Sequence, residues 1–290
     1  MAFRRDRTYT GTRTTRPRSE APAAPVWPQA SPRPASVSAP AVELRAVARS
    51  YGRGAAAVHA LRGIDLVLAR GGFTAVMGPS GSGKSTFLQC AAGLDRPTSG
   101  DVLLGGESIS ALREDRLTEL RRSRIGFVFQ SFNLIPSLTV AQNVLLPQRL
   151  AGARQDRRRA QELLAEVGLP EHGDRRPAQL SGGQQQRVAI ARALITSPEV
   201  VFADEPTGAL DTRTAQEVLG LLRRAVDTMG ATVVMVTHDP VAASHADRVL
   251  FLADGCLAGE LHRPDPRSVA AHMADLTAVR RPHEYAGSAA

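Results

Sequence analysis

The sequence is nearly without lysine. Of its 36 basic residues one is lysine, Lys84, and the other 35 are arginine. It has two cysteines, Cys90 and Cys256. That is too few for a disulfide framework and fits a reduced, cytosolic setting, with both thiols read as small buried hydrophobes. Aromatic residues make up only 4% of the 290 residues, with a single tryptophan. No apolar run approaches the roughly 18 residues that span a bilayer. The first residues lack the apolar stretch of a secretory signal, so Arg4-Arg5 is not expected to be a twin-arginine export signal. Of the net charge of +8, +5 sits in residues 1–40 and +1 in residues 263–290, which leaves +2 for the rest. That near-neutral remainder makes specific nucleic-acid binding unexpected.

What is present falls into three parts. Residues 1–40 are rich in Arg, Pro, Ala, Ser and Thr and poor in large aliphatics. Such a segment cannot bury enough apolar surface to order itself, so a disordered tail is expected, with Trp27 as an unstructured residue rather than a docking motif. Residues 41–262 read as globular. "VELRAVARSY", "GIDLVLA", "FTAVMG", "RIGFVF", "EVVFAD" and "ATVVMVT" are strand-like. Helical patterns cover the segment after Lys84 and residues 156–167, 183–196 and 212–229. Strands alternating with helices predict an α/β fold around a mainly parallel sheet. In 263–290, Val269, Met273 and Leu276 recur at helical spacing, which predicts a short helix packing on the domain.

"GPSGSGKST" fits G-x-x-x-x-G-K-[S/T] at Gly78, Gly83, Lys84 and Ser85, between a predicted strand and a predicted helix. Glycines let successive backbone N–H groups converge on phosphate oxygens, and a helix N-terminus adds a favourable dipole. Lysine supplies a compact point charge; a forked, planar guanidinium does not occupy the same slot. Gly78, Pro79, Ser80, Gly81, Ser82, Gly83, Lys84, Ser85 and Thr86 are therefore read as a phosphate cradle, with the Ser85 hydroxyl on Mg²⁺. Further on, "VVFADEP" puts Asp204 and Glu205 at the end of a buried strand. An aspartate there can hold Mg²⁺, and the adjacent glutamate can polarise a water for attack on a γ-phosphate.

"LSGGQQQRVAIARAL", residues 180–194, places Ser181, Gly182 and Gly183 at the start of a helix, a second anion-binding geometry in one chain. The full string resembles the signature motif of ABC transporter ATPases, and the resemblance covers residues 42 to about 262. Other landmarks follow in the family's order. Tyr51 matches the aromatic that stacks on adenine, Gln130 the Q-loop, Asp211 the D-loop and His238 the switch histidine. "IGFVFQSFNLIPSLTVAQNVLLP" and "ADEPTGALD" are similar to the macrolide-export, lipoprotein-release and antimicrobial-peptide exporter branch. Gly72, where that branch usually has Glu, and Ala209, where it more often has Asn, depart from the pattern, as does the N-terminal tail.

The resemblance implies the ABC ATPase fold. That fold is a P-loop core with an antiparallel β subdomain and a helical signature subdomain, here at about 131–180. It implies ATP and Mg²⁺ as cofactors, with Ser85, Gln130 and Asp204 toward the metal. Lys84, Gln130, Glu205 and His238 are the implied hydrolytic residues. It also implies a head-to-tail homodimer, in which Ser181–Gly183 and Asp211 of one subunit close over ATP on the other. The implied partner is an integral membrane permease, reached from the cytoplasmic face through the segment from Gln130 to about Pro147. Two readings compete with a transporter subunit. One is a soluble ABC ATPase, disfavoured by a single module with no coiled-coil heptads. The other is an ATP switch for a cell-wall or signalling partner.

Overall fold

The computed structural model describes residues 39–280; the expectations for the N-terminal tail with Trp27 and for residues 281–290 lie outside the described residues. In chain order the strands are β1 (Val42–Tyr51), β2 (Val58–Leu68), β3 (Phe73–Met77), β4 (Ser99–Leu104), β5 (Glu107–Ser108), β6 (Ile125–Phe129), β7 (Val200–Asp204), β8 (Val233–Val236), β9 (Arg248–Ala253) and β10 (Cys256–His262). The helices are α1 (Lys84–Ala91), α2 (Glu114–Arg124), α3 (Val140–Leu150), α4 (Arg157–Glu166), α5 (Gly182–Leu194), α6 (Thr212–Met229), α7 (Pro240–Ala243) and α8 (Pro266–Arg280).

Two sheets form. An antiparallel sheet runs β2-β1-β4-β5, and a six-stranded sheet runs β10-β9-β3-β8-β7-β6, parallel except where β10 meets β9. The parallel strands are apolar on both faces because both faces are covered. In β3, Phe73, Ala75 and Met77 join a core made with the surrounding helices, while Val76 joins the core between the two sheets. β7 and β8 divide in the same way, with Phe202, Val234 and Val236 on the inter-sheet side. Phe87, Leu88 and Cys90 of α1 lie in that inter-sheet core, so the helix opening at Lys84 is held from two sides.

The strand order decides where a site can be. Moving outward from β3, the next strands are β8, β7 and β6. Their paired ends are Val76 with Val236, Val236 with Asp204, and Asp204 with Phe129. Four chain segments therefore leave one edge of the sheet side by side, at the carboxyl ends where open α/β sheets bind ligands.

One polar cluster ties the two sheets together. Glu199, just before β7, accepts from Arg70 after β2 and from Arg124 at the end of α2. Arg124 also reaches Glu107 of β5 at 2.6 Å and the Leu104 carbonyl of β4 at 2.8 Å. Burial by itself raises the Glu199 carboxyl, but the bonds from Arg124 and Arg70 outweigh it and hold the group below its ordinary value. Because the folded pKa is the lower one, its stabilisation is complete above the unfolded value of about 4.3 and is lost as pH falls through the folded value. Glu199→Gln is expected to cost about 2 kcal/mol near neutral pH, roughly 5 °C in Tm. The gap from wild type should close as thermal unfolding is repeated at falling pH. A gap that stays constant down to strongly acidic pH would count against the ionic reading.

The predicted terminal helix is present as α8, with Val269 fully buried and Met273 and Leu276 packed against the main core. One expectation is corrected. Cys90 is buried, but Cys256 is exposed, because β10 is an edge strand whose residues alternate between exposed and half-buried.

Candidate functional site

The loop between β3 and α1 is shaped by its glycines. Gly78 has φ +155°, and a Cβ there would lie 2.1 Å from the Leu252 carbonyl oxygen. Gly83, with φ +101°, would put a Cβ 2.4 Å from the Ala60 carbonyl oxygen. A side chain at either position collides with backbone of another strand, so the loop has one seat. Lys84 folds back over it, donating from Nζ to the Gly78 carbonyl at 2.8 Å and the Pro79 carbonyl at 2.9 Å. Pro79 also accepts from the Ser82 N–H at 3.2 Å, while Ser82 Oγ is buried without a hydrogen-bond partner among the described residues. Ser80 and Gly81 form the exposed crest, and Ser85 and Thr86 open α1.

Three further predicted residues meet beside it. Glu205 follows β7 with φ +44°, a left-handed backbone that is costly for a glutamate and persists only where surroundings impose it. Its N–H donates to the Val236 carbonyl at 2.9 Å, and its own carbonyl accepts from the Gly208 N–H at 3.0 Å. The Oε1 atom is 3.0 Å from His238 Nδ1, after β8. The Gln130 side chain, after β6, comes to the same place. A Cβ on Gly208 would lie 2.7 Å from Gln130 Nε2 and 3.3 Å from Glu205 Oε2. A cleft of about 470 Å³ opens beside Glu205 and His238 toward Thr212 and Val241.

Asp204 sits between this group and Lys84. Burial pushes its carboxyl up, the neighbouring Glu205 carboxylate pushes it further, and Lys84 pulls it back. Two adjacent carboxylates, one of them pushed up by burial and by its neighbour, are hard oxygen donors of the kind that suits Mg²⁺. Among the described residues no group of three or more His, Cys, Asp or Glu forms a metal cage. A magnesium ion that shares its coordination with phosphates needs none.

The remaining predicted residues lie on other elements. Tyr51 ends β1, with its hydroxyl donating to Asp95 Oδ2 at 2.7 Å and the Arg49 guanidinium 4.5 Å from its ring centroid. Ser181 caps α5. Its Oγ accepts from the Gln184 N–H at 3.3 Å, and Gln184 Oε1 accepts from the Ser181 N–H at 3.0 Å. Gly182 begins the helix. Gly183 is buried, and a Cβ there would meet the Thr214 methyl at 2.1 Å, so its smallness also lets α5 approach α6. Asp211 caps α6, accepting from the Thr214 N–H at 3.1 Å; the Thr214 side chain first and its N–H second hold the carboxyl below its ordinary value.

Sequence reading passed over the residues that hold the segment after Gln130. Phe132 and Asn133 both have positive φ, and the Arg192 guanidinium of α5 donates to both carbonyls. The fully buried Asn143 of α3 accepts from the Ile135 N–H at 2.8 Å and donates to the carbonyls of Ile135 and Thr139. Each is an ordinary polar residue in a helical pattern, with no local signal of its partner.

Residues 61–208 match the family model described as ABC transporter. The macrolide export ATP-binding/permease protein MacB of Wolinella succinogenes is 48% identical over 229 residues, 78% of this chain and 35% of that protein. This chain spans about a third of the length of such curated macrolide-export relatives. An uncharacterized ABC transporter ATP-binding protein of Thermotoga maritima is 48% identical over 220 residues, 75% of this chain and 94% of that one. Among solved structures, the dimeric ATP-binding cassette MJ0796 in a post-hydrolysis state bound to ADP and Pi superposes with a TM-score of 0.70. It is 44% identical, over 77% of this chain and 99% of that one.

Proposed function

This chain belongs to the ABC transporter family, as an ATP-binding ATPase cassette, and from that premise we propose that it drives a separate membrane permease by hydrolysing ATP, for export or extraction of a hydrophobic compound, peptide or lipoprotein. The observation that carries the hydrolytic part is the meeting of Gln130, Glu205 and His238 beside the phosphate loop, with Glu205 held in a strained backbone. The macrolide-export names of its relatives favour the export branch. Among the described residues no helix is long and apolar enough to cross a membrane, so a permease would have to be supplied by another chain or segment.

In this reading Lys84 and the loop N–H groups hold the β- and γ-phosphates, and Tyr51 offers its ring to the adenine. Glu205 takes a proton from the attacking water, and His238, on its carboxylate, orients it and faces the γ-phosphate. Ser85, Gln130 and Asp204 would hold Mg²⁺, which when bound supplies charge neutralisation between the phosphates. Ser181, Gly182, Gly183 and Asp211 are assigned to the partner's nucleotide in a two-fold, head-to-tail homodimer. The dimeric solved relatives support that assignment. Loss of the γ-phosphate removes its bridging contacts and lets the dimer open. The protein would work at the cytoplasmic face of the membrane.

The test is a pull-down of tagged Glu205→Gln protein from detergent-solubilised membranes with ATP, read by mass spectrometry. An integral membrane protein with a large external domain is the expected partner. Recovery of soluble or ribosomal partners alone would sink the transporter reading.

A further inference from the structure

Gln186 lies in the second turn of α5 and is fully buried. Its amide nitrogen donates to two carbonyls, Pro206 at 2.6 Å and Phe129 at 3.3 Å. Pro206 follows Glu205, and Phe129 precedes Gln130. The amide oxygen is buried and has no hydrogen-bond partner among the described residues. Rotating the amide by half a turn would aim that oxygen at both carbonyls, so the two acceptors fix the orientation. A buried acceptor left unpaired is destabilising. An apolar side chain of similar volume would remove that orphan but leave the buried Pro206 carbonyl without its donor, and satisfying two carbonyls does not by itself explain why they are held from α5.

Its position does. Helix α5 opens at Ser181–Gly183, assigned above to the neighbouring subunit's nucleotide. One turn further along, the same rigid helix is fastened to the two segments that carry this subunit's own Gln130 and Glu205. Glu205 needs such fastening, since its left-handed backbone is strained. We propose that Gln186 is a positioning residue that couples the two ATP sites of the dimer. When the partner's nucleotide seats the start of α5, the Gln186 amide carries that placement to Phe129 and Pro206 and so to the hydrolytic pair. The coupling rests on the homodimer reading; the local positioning of Gln130 and Glu205 does not.

The test uses Gln186→Met, which keeps volume and removes both donors, with Gln186→Leu as a second variant if the first folds poorly. Tm should fall by about 3–8 °C, since the Pro206 carbonyl loses its donor, while the variant stays folded and its nucleotide binding at low protein concentration stays close to wild type. The kcat for ATP should fall on the order of 10- to 100-fold, as small misplacement of catalytic groups does, with KM little changed. The Hill coefficient for ATP should fall toward about 1, as independent sites require. In the Glu205→Gln background, adding Gln186→Met should raise the protein concentration for half-dimerisation with ATP about tenfold, the loss of a modest coupling energy. Unchanged kcat in a folded variant overturns the positioning role. Glu205→Gln protein that dimerises equally well with and without Gln186→Met overturns the coupling. Glu205→Gln protein that never dimerises overturns the homodimer reading and the coupling with it, and leaves the kcat result to decide the local role.

Discussion

Glu205→Gln is expected to bind ATP as wild type does, to lose turnover by roughly 10²–10⁴-fold, and to accumulate as an ATP-bound dimer. The amide is the same size as the carboxylate it replaces, so the contact with His238 Nδ1, 3.0 Å away, and the backbone bonds to Val236 and Gly208 have no steric reason to change. What is lost is the basic lone pair that would accept a proton from water. The phosphate loop and Lys84 are untouched, so ground-state binding has no cause to fall. Binding even has a cause to improve. Burial and then the Glu205 carboxylate push the Asp204 carboxyl up, and a neutral amide at 205 removes one of the two adjacent negative charges that a bound phosphate would face. Size-exclusion chromatography with ATP and Mg²⁺, run beside a phosphate-release assay, reads both halves. A variant that stays monomeric sinks the sandwich arrangement, and one that still hydrolyses ATP at the wild-type rate removes Glu205 from the proton-transfer role.

The parts of this site that could be read in the sequence are those whose chemistry is local. The cradle around Lys84 announces itself because its glycines, its lysine and its flanking strand and helix lie within a few residues of each other. β7 and β8 were legible because each is a run of four buried apolar residues, followed in β7 by Asp204. β4, β9 and β10 went without individual assignment. β4 and β10 are half exposed and interrupted by glycine, and β9 is a short apolar run in a region without other landmarks. The supports were hidden for a different reason. Gln186 reaches partners 57 and 20 positions away, and Arg192 reaches back 60 to Phe132. No spacing rule announces a bond of that kind. Gly183 illustrates the limit well. As part of a signature string it reads as a ligand-facing glycine, whereas its packing against Thr214 emerges only when α6 is in place.

Lys84→Arg is expected to lose ATP affinity by about 10- to 100-fold, equivalent to roughly 1.4–2.8 kcal/mol, although it conserves charge. The reason lies in the seat rather than in the cation. Lys84 Nζ reaches two carbonyls of its own loop, Gly78 and Pro79, at 2.8 and 2.9 Å, so one nitrogen serves both. A guanidinium needs more length and a flat space around it, so the loop would have to move outward. It has nowhere to go. A Cβ at Gly78 would already collide with the Leu252 carbonyl of β9, and one at Gly83 with the Ala60 carbonyl of β2. The loop is therefore braced against both sheets, and α1 behind it is packed in the core between them. Nucleotide binding followed by fluorescence, with Tm measured in the absence of nucleotide, separates the outcomes. Weak binding at an unchanged Tm supports the shape argument. Weak binding with a large fall in Tm would mean that the substitution has broken the loop itself. Wild-type affinity would show that charge alone is required at position 84, and the one lysine among 35 arginines would then carry no information about the site.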